Sequence, residues 1–319
     1  MARKKAKRTS MKKIAPAVLT MGFQLPDGTS TIDLSQCASV LNRRFYRQGI
    51  NWVVSGFRVF SPIPVETPNK GISISRLPQT WSMTNAWQKS FSAWNKQQRE
   101  AIEDAGASSA VAGFRDFKIH ADVTHVSAGF GSNLKPTDDI GSVPAMGEWE
   151  PSLIVLPNTA TDGTSFVEPS ERSLHMVGLN VNGTTSRGMI EGYADSRAFP
   201  QSPDPVSPDI DSSQNWLARM FDTGNDINEI LENATERNDE LPYTQVNYPG
   251  GSTQLPGLQA VDSAYFSAGT NSNKLFLKGD NFPCGLIRVI STAGLTTVLL
   301  VDLVPGSHKG YMCQPMSEM

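Results

Sequence analysis

Cysteine and histidine are scarce in this chain of 319 residues, with three and four copies, and charged residues make up only 18% of it. Cys37, Cys284 and Cys313 are odd in number and far apart. That excludes a disulfide framework or zinc knuckle and makes a reducing compartment the simpler setting. No run approaches the roughly 18 to 20 consecutive apolar residues of a membrane-spanning helix. The low charge content, set beside 26 Gly and 21 Pro, argues against a helical bundle and for strands joined by turns.

The sequence marks that usually accompany catalysis are missing as well. There is no GxSxG elbow, no GxxxxGK[ST] phosphate loop, no HExxH helix and no GxGxxG after a strand. Cys284 and His308 share only the residue types of a nucleophile and its base. His120 and His125, five apart in a strand-like segment, would lie on opposite faces and read as satisfied or exposed histidines, not metal ligands. The acids from Asp204 to Glu240 fit no EF-hand loop and read as a solvated acidic face. The chain is therefore expected to be no enzyme, with no catalytic residue, metal site or cofactor.

What is present begins with a charge asymmetry. Arg3, Lys4, Lys5, Lys7, Arg8, Lys12 and Lys13 crowd the first 13 residues with no acid among them. The other 306 residues keep 21 basic and 31 acidic side chains, a balance of -10. Like charges this dense repel and bury nothing, so the segment reads as a disordered arm whose natural partner is a polyanion, nucleic acid above all. Its basic run Lys4 to Arg8 also fits a nuclear-import address. A secretory leader fits less well, since the apolar stretch from Ile14 to Phe23 is short and holds Pro16 and Gly22. Arg43, Arg44 and Arg47 flank Phe45 and Tyr46 in a second basic cluster. Cations interleaved with aromatics can hold phosphate while stacking bases; the plainer reading is an exposed turn with one aromatic facing the core.

Beyond the arm, the pattern is mostly strand-like. NWVVSGFRVF, from Asn51 to Phe60, is β-branched and aromatic and stops at Ser61-Pro62-Ile63-Pro64. FRDFKIHADVTHV, from Phe114 to Val126, alternates with Phe117, Ile119, Ala121 and Val123 on one face, as in a half-buried strand with one wet face. Further strands are expected at 152–156, 174–181, 275–277, 285–290 and 296–304, the last two pairing as a hairpin, with 296–304 covered on both faces. Two helical insertions break the pattern. Residues 85–105 place Trp87, Phe91, Trp94, Ala101 and Ile102 on one stripe and end at Gly106. Residues 212–237 group Trp216, Leu217 and Phe221, a stripe that either packs on a sheet or marks a subunit contact. Many strands between long Gly/Pro/Ser-rich loops indicate an all-β sandwich or jelly roll.

The RKKAKR start, NWVVSGFRVF, the Trp87/Trp94 helix ahead of FRDFKIHADVTHV, and the ending PCGLIRVIS with TTVLLVDLVPGSHKGYMCQPM together make the chain resemble capsid proteins of small circular Rep-encoding single-stranded DNA viruses. The resemblance extends thinly over most of the chain, and the arm is shorter and less arginine-rich than is usual in that group. It implies a disordered basic arm over 1–22 and one eight-stranded antiparallel jelly-roll domain over 23–319, with Asn51 to Phe60 the first strand and Thr296 to Val304 the last. Copies would close into an icosahedral shell of about 60 or a multiple, with the arms inside and loops making the contacts. Seven charges on about 60 arms give roughly 420 for displacing counterions from single-stranded DNA, held without regard to sequence. The implied partners are further copies of the chain, single-stranded nucleic acid and a host nuclear import receptor, in the virion and, during assembly, the host nucleus. An RNA-virus coat of the same architecture and a β-sandwich carbohydrate-binding module are the alternatives.

Overall fold

The computed structural model describes residues 16–61, 70–107, 115–138, 141–158, 167–179, 185–197, 257–266, 273–292 and 297–319. In chain order they form β1 (Thr20–Leu25), β2 (Gly28–Asp33), α1 (Leu34–Asn42), β3 (Ile50–Ser61), β4 (Gly71–Arg76), α2 (Trp81–Asp104) and α3 (Val123–Ala128). Next come β5 (Leu153–Asn158), β6 (Val167–His175), β7 (Ser186–Gly188), α4 (Met189–Arg197), β8 (Gln259–Tyr265), β9 (Asn273–Lys278) and β10 (Asn281–Phe282). Last are β11 (Leu286–Ser291), β12 (Thr297–Leu303), β13 (Pro305–Gly306), β14 (Gly310–Tyr311) and β15 (Cys313–Pro315). The structure is mostly β, and none of its described helices is long and apolar enough to cross a membrane.

The strand pairing is nested. β1 pairs with β12, β2 with β11, β3 with β9 and β4 with β8, all antiparallel, as in one long two-stranded ribbon. The ribbon then winds so that β12 also meets β3 and β11 also meets β4. Two sheets result, ordered β1-β12-β3-β9 and β2-β11-β4-β8, an antiparallel sandwich. Their inner faces supply Phe23, Leu25, Trp52, Phe57, Val59, Ile72, Ile74, Leu277, Ile287, Val289, Leu299 and Val301 to one buried core. Each such side chain, fully buried, contributes about 1.5–3 kcal/mol.

Strand β3 is long enough to carry β12 and β15 along one edge and β9 and β10 along the other. Its inward set changes parity, from Ile50, Trp52 and Val54 to Phe57 and Val59. A register shift opposite Asp302 and Leu303 inserts the extra residue that makes this change. Gly279 passes so near the kink that a methyl there would sit 2.0 Å from the Val54 carbonyl oxygen. Glycine is needed at that close approach.

A second layer, inserted between β4 and β8, packs on the outer side of β11. Along β11, Ile287 and Val289 point into the sandwich while Leu286 joins the second core with Trp87, Trp94, Phe117, Leu174 and Met189. Strand β5 pairs antiparallel with β6, and β6 pairs parallel with β7. Helix α2 begins at Trp81, four residues before the expected start, where the Thr80 hydroxyl accepts from the Met83 N–H, and Gly106 just beyond its end takes φ +64°.

Several expectations are corrected. The arm cannot run to residue 22, because β1 starts at Thr20 and buries Met21. Asn51 to Phe60 lies in the third strand of the sandwich, preceded by β1 and β2. The segments at 285–290 and 296–304 form strands β11 and β12, but in opposite sheets instead of a hairpin. Strand β12 buries alternate residues, so only one face is fully covered. The 174–181 strand is displaced, since β6 ends at His175.

Of the strand expected from Phe114 to Val126, the described residues 115–126 form none. Phe117, Ile119 and Ala121 are buried as the alternation indicates, but Asp122 caps α3 by accepting from the His125 N–H and turns the chain. His120 and His125, read as opposed, bring their ring centroids to 4.9 Å in the interior.

Candidate nucleic-acid interface

Of the residues expected to bind nucleic acid, Arg3, Lys4, Lys5, Lys7, Arg8, Lys12 and Lys13 lie outside the described residues. So do Trp216, Leu217 and Phe221, the expected subunit contacts. The structure does place the stretch that follows the arm. The Val18 N–H donates to Asn42 Oδ1 at 3.0 Å, and the Val18 carbonyl accepts from the Tyr311 hydroxyl at 2.7 Å. Asn42 is the last residue of α1, directly before Arg43 and Arg44. The chain leading from the arm is thus moored beside the second basic cluster.

That cluster is built by the ends of α1. Strand β2 runs straight into the helix because the Asp33 carboxylate accepts from the N–H groups of Ser35 and Gln36. The helix stops at Arg43, which adopts φ +53°. The three arginines then diverge. Arg43 is exposed and lines a cleft, and Arg44 lies close enough to the Tyr46 phenol to hydrogen-bond it. Arg47 donates to the Arg115 carbonyl at 3.1 Å, with its guanidinium 5.8 Å from the centre of the Phe45 ring. Tyr46 is fully buried against Trp52 and Tyr311, so the plainer reading of one aromatic in the core is realised there. Lys309 adds a cation that sequence spacing did not point to. Its ammonium reaches the Phe45 carbonyl at 2.6 Å and lies 5.3 Å from the Tyr46 ring centre.

The cleft that Arg43 faces encloses about 880 Å³ between α1, residues 115–118 and residues 145–152. Arg115 and Lys118 bring two more cations to it, and Phe45 and Trp149 bring aromatic surface. The Lys118 ammonium sits 4.8 Å from the Trp149 ring centre, and the Arg115 guanidinium 5.1 Å from that of Trp94. Glu148 and Glu150 also line the cleft, so its charge is mixed and not a uniform basic field. Trp149 is fixed from below, where its indole N–H donates to Asp33 Oδ2 at 3.0 Å. Burial pushes the Asp33 carboxyl up to about 6, against the lowering effect of its hydrogen bonds from Gln48, Gln36, Trp149 and Ser35. Asp116 is raised too, again by burial.

Arg115, Lys118 and Trp149 were missed because nothing in their spacing relates them to Arg43. The one local hint is the mixture of basic and aromatic residues in FRDFK. Cys284 is fully buried, with its thiol pushed well above the ordinary range by desolvation. Among the described residues, no group of three or more His, Cys, Asp or Glu is placed to hold a metal ion. Comparison with protein-family models, with curated proteins and with solved structures finds no match to this chain.

Proposed function

We propose that this chain is a structural coat protein whose jelly-roll body self-assembles into a closed icosahedral shell and whose basic arm holds single-stranded nucleic acid within it. The jelly-roll reading is supported by the nested pairing of eight strands in two sheets, ordered β1-β12-β3-β9 and β2-β11-β4-β8. The observation that carries the nucleic-acid reading is the mooring of Val18 to Asn42. It sets Val18, a few residues after the seven cations of the arm, beside the end of α1 that carries Arg43 and Arg44, with Lys309 held at the neighbouring Phe45 carbonyl. Phosphate is gathered there without base-specific readout, because flexible Lys and Arg present no fixed donor pattern to base edges. Phe45 and Trp149 offer stacking surface beside the cations.

Such a protein has no catalytic group, metal or cofactor. Its partners are its own copies, single-stranded DNA and, through Lys4 to Arg8, a nuclear import receptor, which places it in the virion and in the host nucleus during assembly. Negative-stain imaging and size-exclusion chromatography of the purified chain test the shell: uniform round particles are expected, and a monomer in dilute buffer that ignores oligonucleotides refutes it. Deleting residues 2–13 tests the arm. The truncated chain should retain less nucleic acid, and equal retention removes the arm from the mechanism. Nuclease sensitivity of the packaged material separates DNA from RNA.

A further inference from the structure

Three of the four histidines meet where the inserted layer touches the sandwich. His120, His125 and His175 are 3%, 1% and 0% exposed. The backbone pairs His120 with His175, and the His120 and His125 rings pack on Phe130 at centroid distances of 4.5 and 5.3 Å. His125 Nδ1 accepts the Ala121 N–H at 3.1 Å, so the neutral ring carries its hydrogen on Nε2 and donates to Asn133 Oδ1 at 2.8 Å. Asn133 continues to Gln36 of α1 at 3.2 Å. His175 Nδ1 lies 2.9 Å from the Ser186 hydroxyl. His120 Nδ1 and His175 Nε2 are buried without a hydrogen-bond partner.

The charges around the cluster are mixed, Asp122 favouring a proton on His120 and His175 while burial opposes it more strongly. Asp122, beside His120, pairs with Arg288 of β11 at 2.6 Å, a bond that ties the inserted layer to the sandwich. Arg187 of β7 acts on His175, and Glu171 of β6 lines, with His120, a neighbouring cavity of about 370 Å³. A proton on His125 Nδ1 would point at the Ala121 N–H, and one on either of the other rings would add a buried cation beside a pair already balanced. Desolvation accordingly drives His120 down to about 3 and His125 down to about 4, and lowers His175.

We propose that His120, His125 and His175 form an acid-released latch, which when neutral holds residues 116–133 and strands β6 and β7 against β11 and α1, and when protonated drives that layer off an intact sandwich. The latch goes beyond the coat-protein reading and does not depend on it.

Once released, each imidazole titrates near its ordinary value of about 6.5, so each histidine multiplies the opening constant about 30-fold between pH 7.5 and 5. Hydrogen exchange on the full chain, corrected for intrinsic rates, reads this directly. Amides in 117–133 and 173–179 should lose protection by about 10³- to 10⁴-fold over that interval while β3 and β12 keep theirs. The logarithm of the opening constant should fall with pH at a slope steeper than -1. In His125→Asn, which keeps an acceptor for Ala121, and in His120→Phe, which keeps the stacking on Phe130, acid opening should weaken about 30-fold. Protection retained at pH 5, or lost only together with β3 and β12, overturns the latch, as does an unchanged pH response in both variants. Should either variant fail to fold, the wild-type slope decides: steeper than -1 supports the latch, and shallower overturns it.

Discussion

The Asp122–Arg288 pair offers a sharp test of how the inserted layer is held. Both side chains are nearly inaccessible, 2% and 6% exposed, and their contact is 2.6 Å. The same Asp122 Oδ1 also accepts the His125 N–H as the cap of α3, while Asp122 Oδ2 and Arg288 Nε have no hydrogen-bond partner. Truncating one partner strands the other as a buried charge, which costs about 3–5 kcal/mol. Arg288→Met should therefore destabilise by about that amount. Asp122→Ala should cost about 1 kcal/mol more, because the helix cap goes with the charge.

The double variant Asp122→Asn/Arg288→Met retains a capping oxygen and leaves no unpaired charge. It should lose only about 1–2 kcal/mol, so the cycle should show strong coupling between the two positions. Urea unfolding, at concentrations where the midpoint no longer depends on protein concentration, supplies the values if the slope m is common to all variants. A loss under about 1 kcal/mol for Arg288→Met, or additive single costs, refutes the reasoning.

Other consequences can be checked with single substitutions. Gly279→Ala would place a methyl 2.0 Å from the Val54 oxygen and should lower stability by about 3 kcal/mol, read as a fall in melting temperature. Asp33 has its carboxyl raised from 3.8 to about 6, so its favourable contribution is present below 3.8 and lost as pH rises through 6, opposite in sign to the buried histidines. Asp33→Asn should remove about 2 kcal/mol of this pH dependence from the stability difference between pH 4 and 6. Wild-type binding to single-stranded oligonucleotides should fall with salt at a log–log slope of about -5.6 if all seven arm cations and Arg43 neutralise phosphates, at about -0.7 each. Arg43→Ala should make that slope shallower by about 0.7, and an unchanged slope takes Arg43 out of the interface.

The amino-acid order by itself determined the features that depend on near neighbours. The charge split between arm and body is readable directly, because like charges a few residues apart repel whatever surrounds them. Strands β3, β9, β11 and β12 are visible in their apolar and β-branched content. Helix α2 is visible in the spacing of Trp87, Phe91 and Trp94 and in its stop at Gly106.

Only the tertiary structure decided which of these elements meet. An alternating strand fits many partners equally well, so β11 and β12 read as a hairpin although the ribbon sends them to opposite sheets. The strands β1, β2, β4 and β8 are short and carry polar or small residues, and their stability comes from partners far along the chain. Asp122 read as one more wet position until its capping bond turned the segment and swung His125 onto His120. The cleft and the latch both join residues from distant segments. Burial and desolvation, which set their chemistry, arise only when those segments pack together.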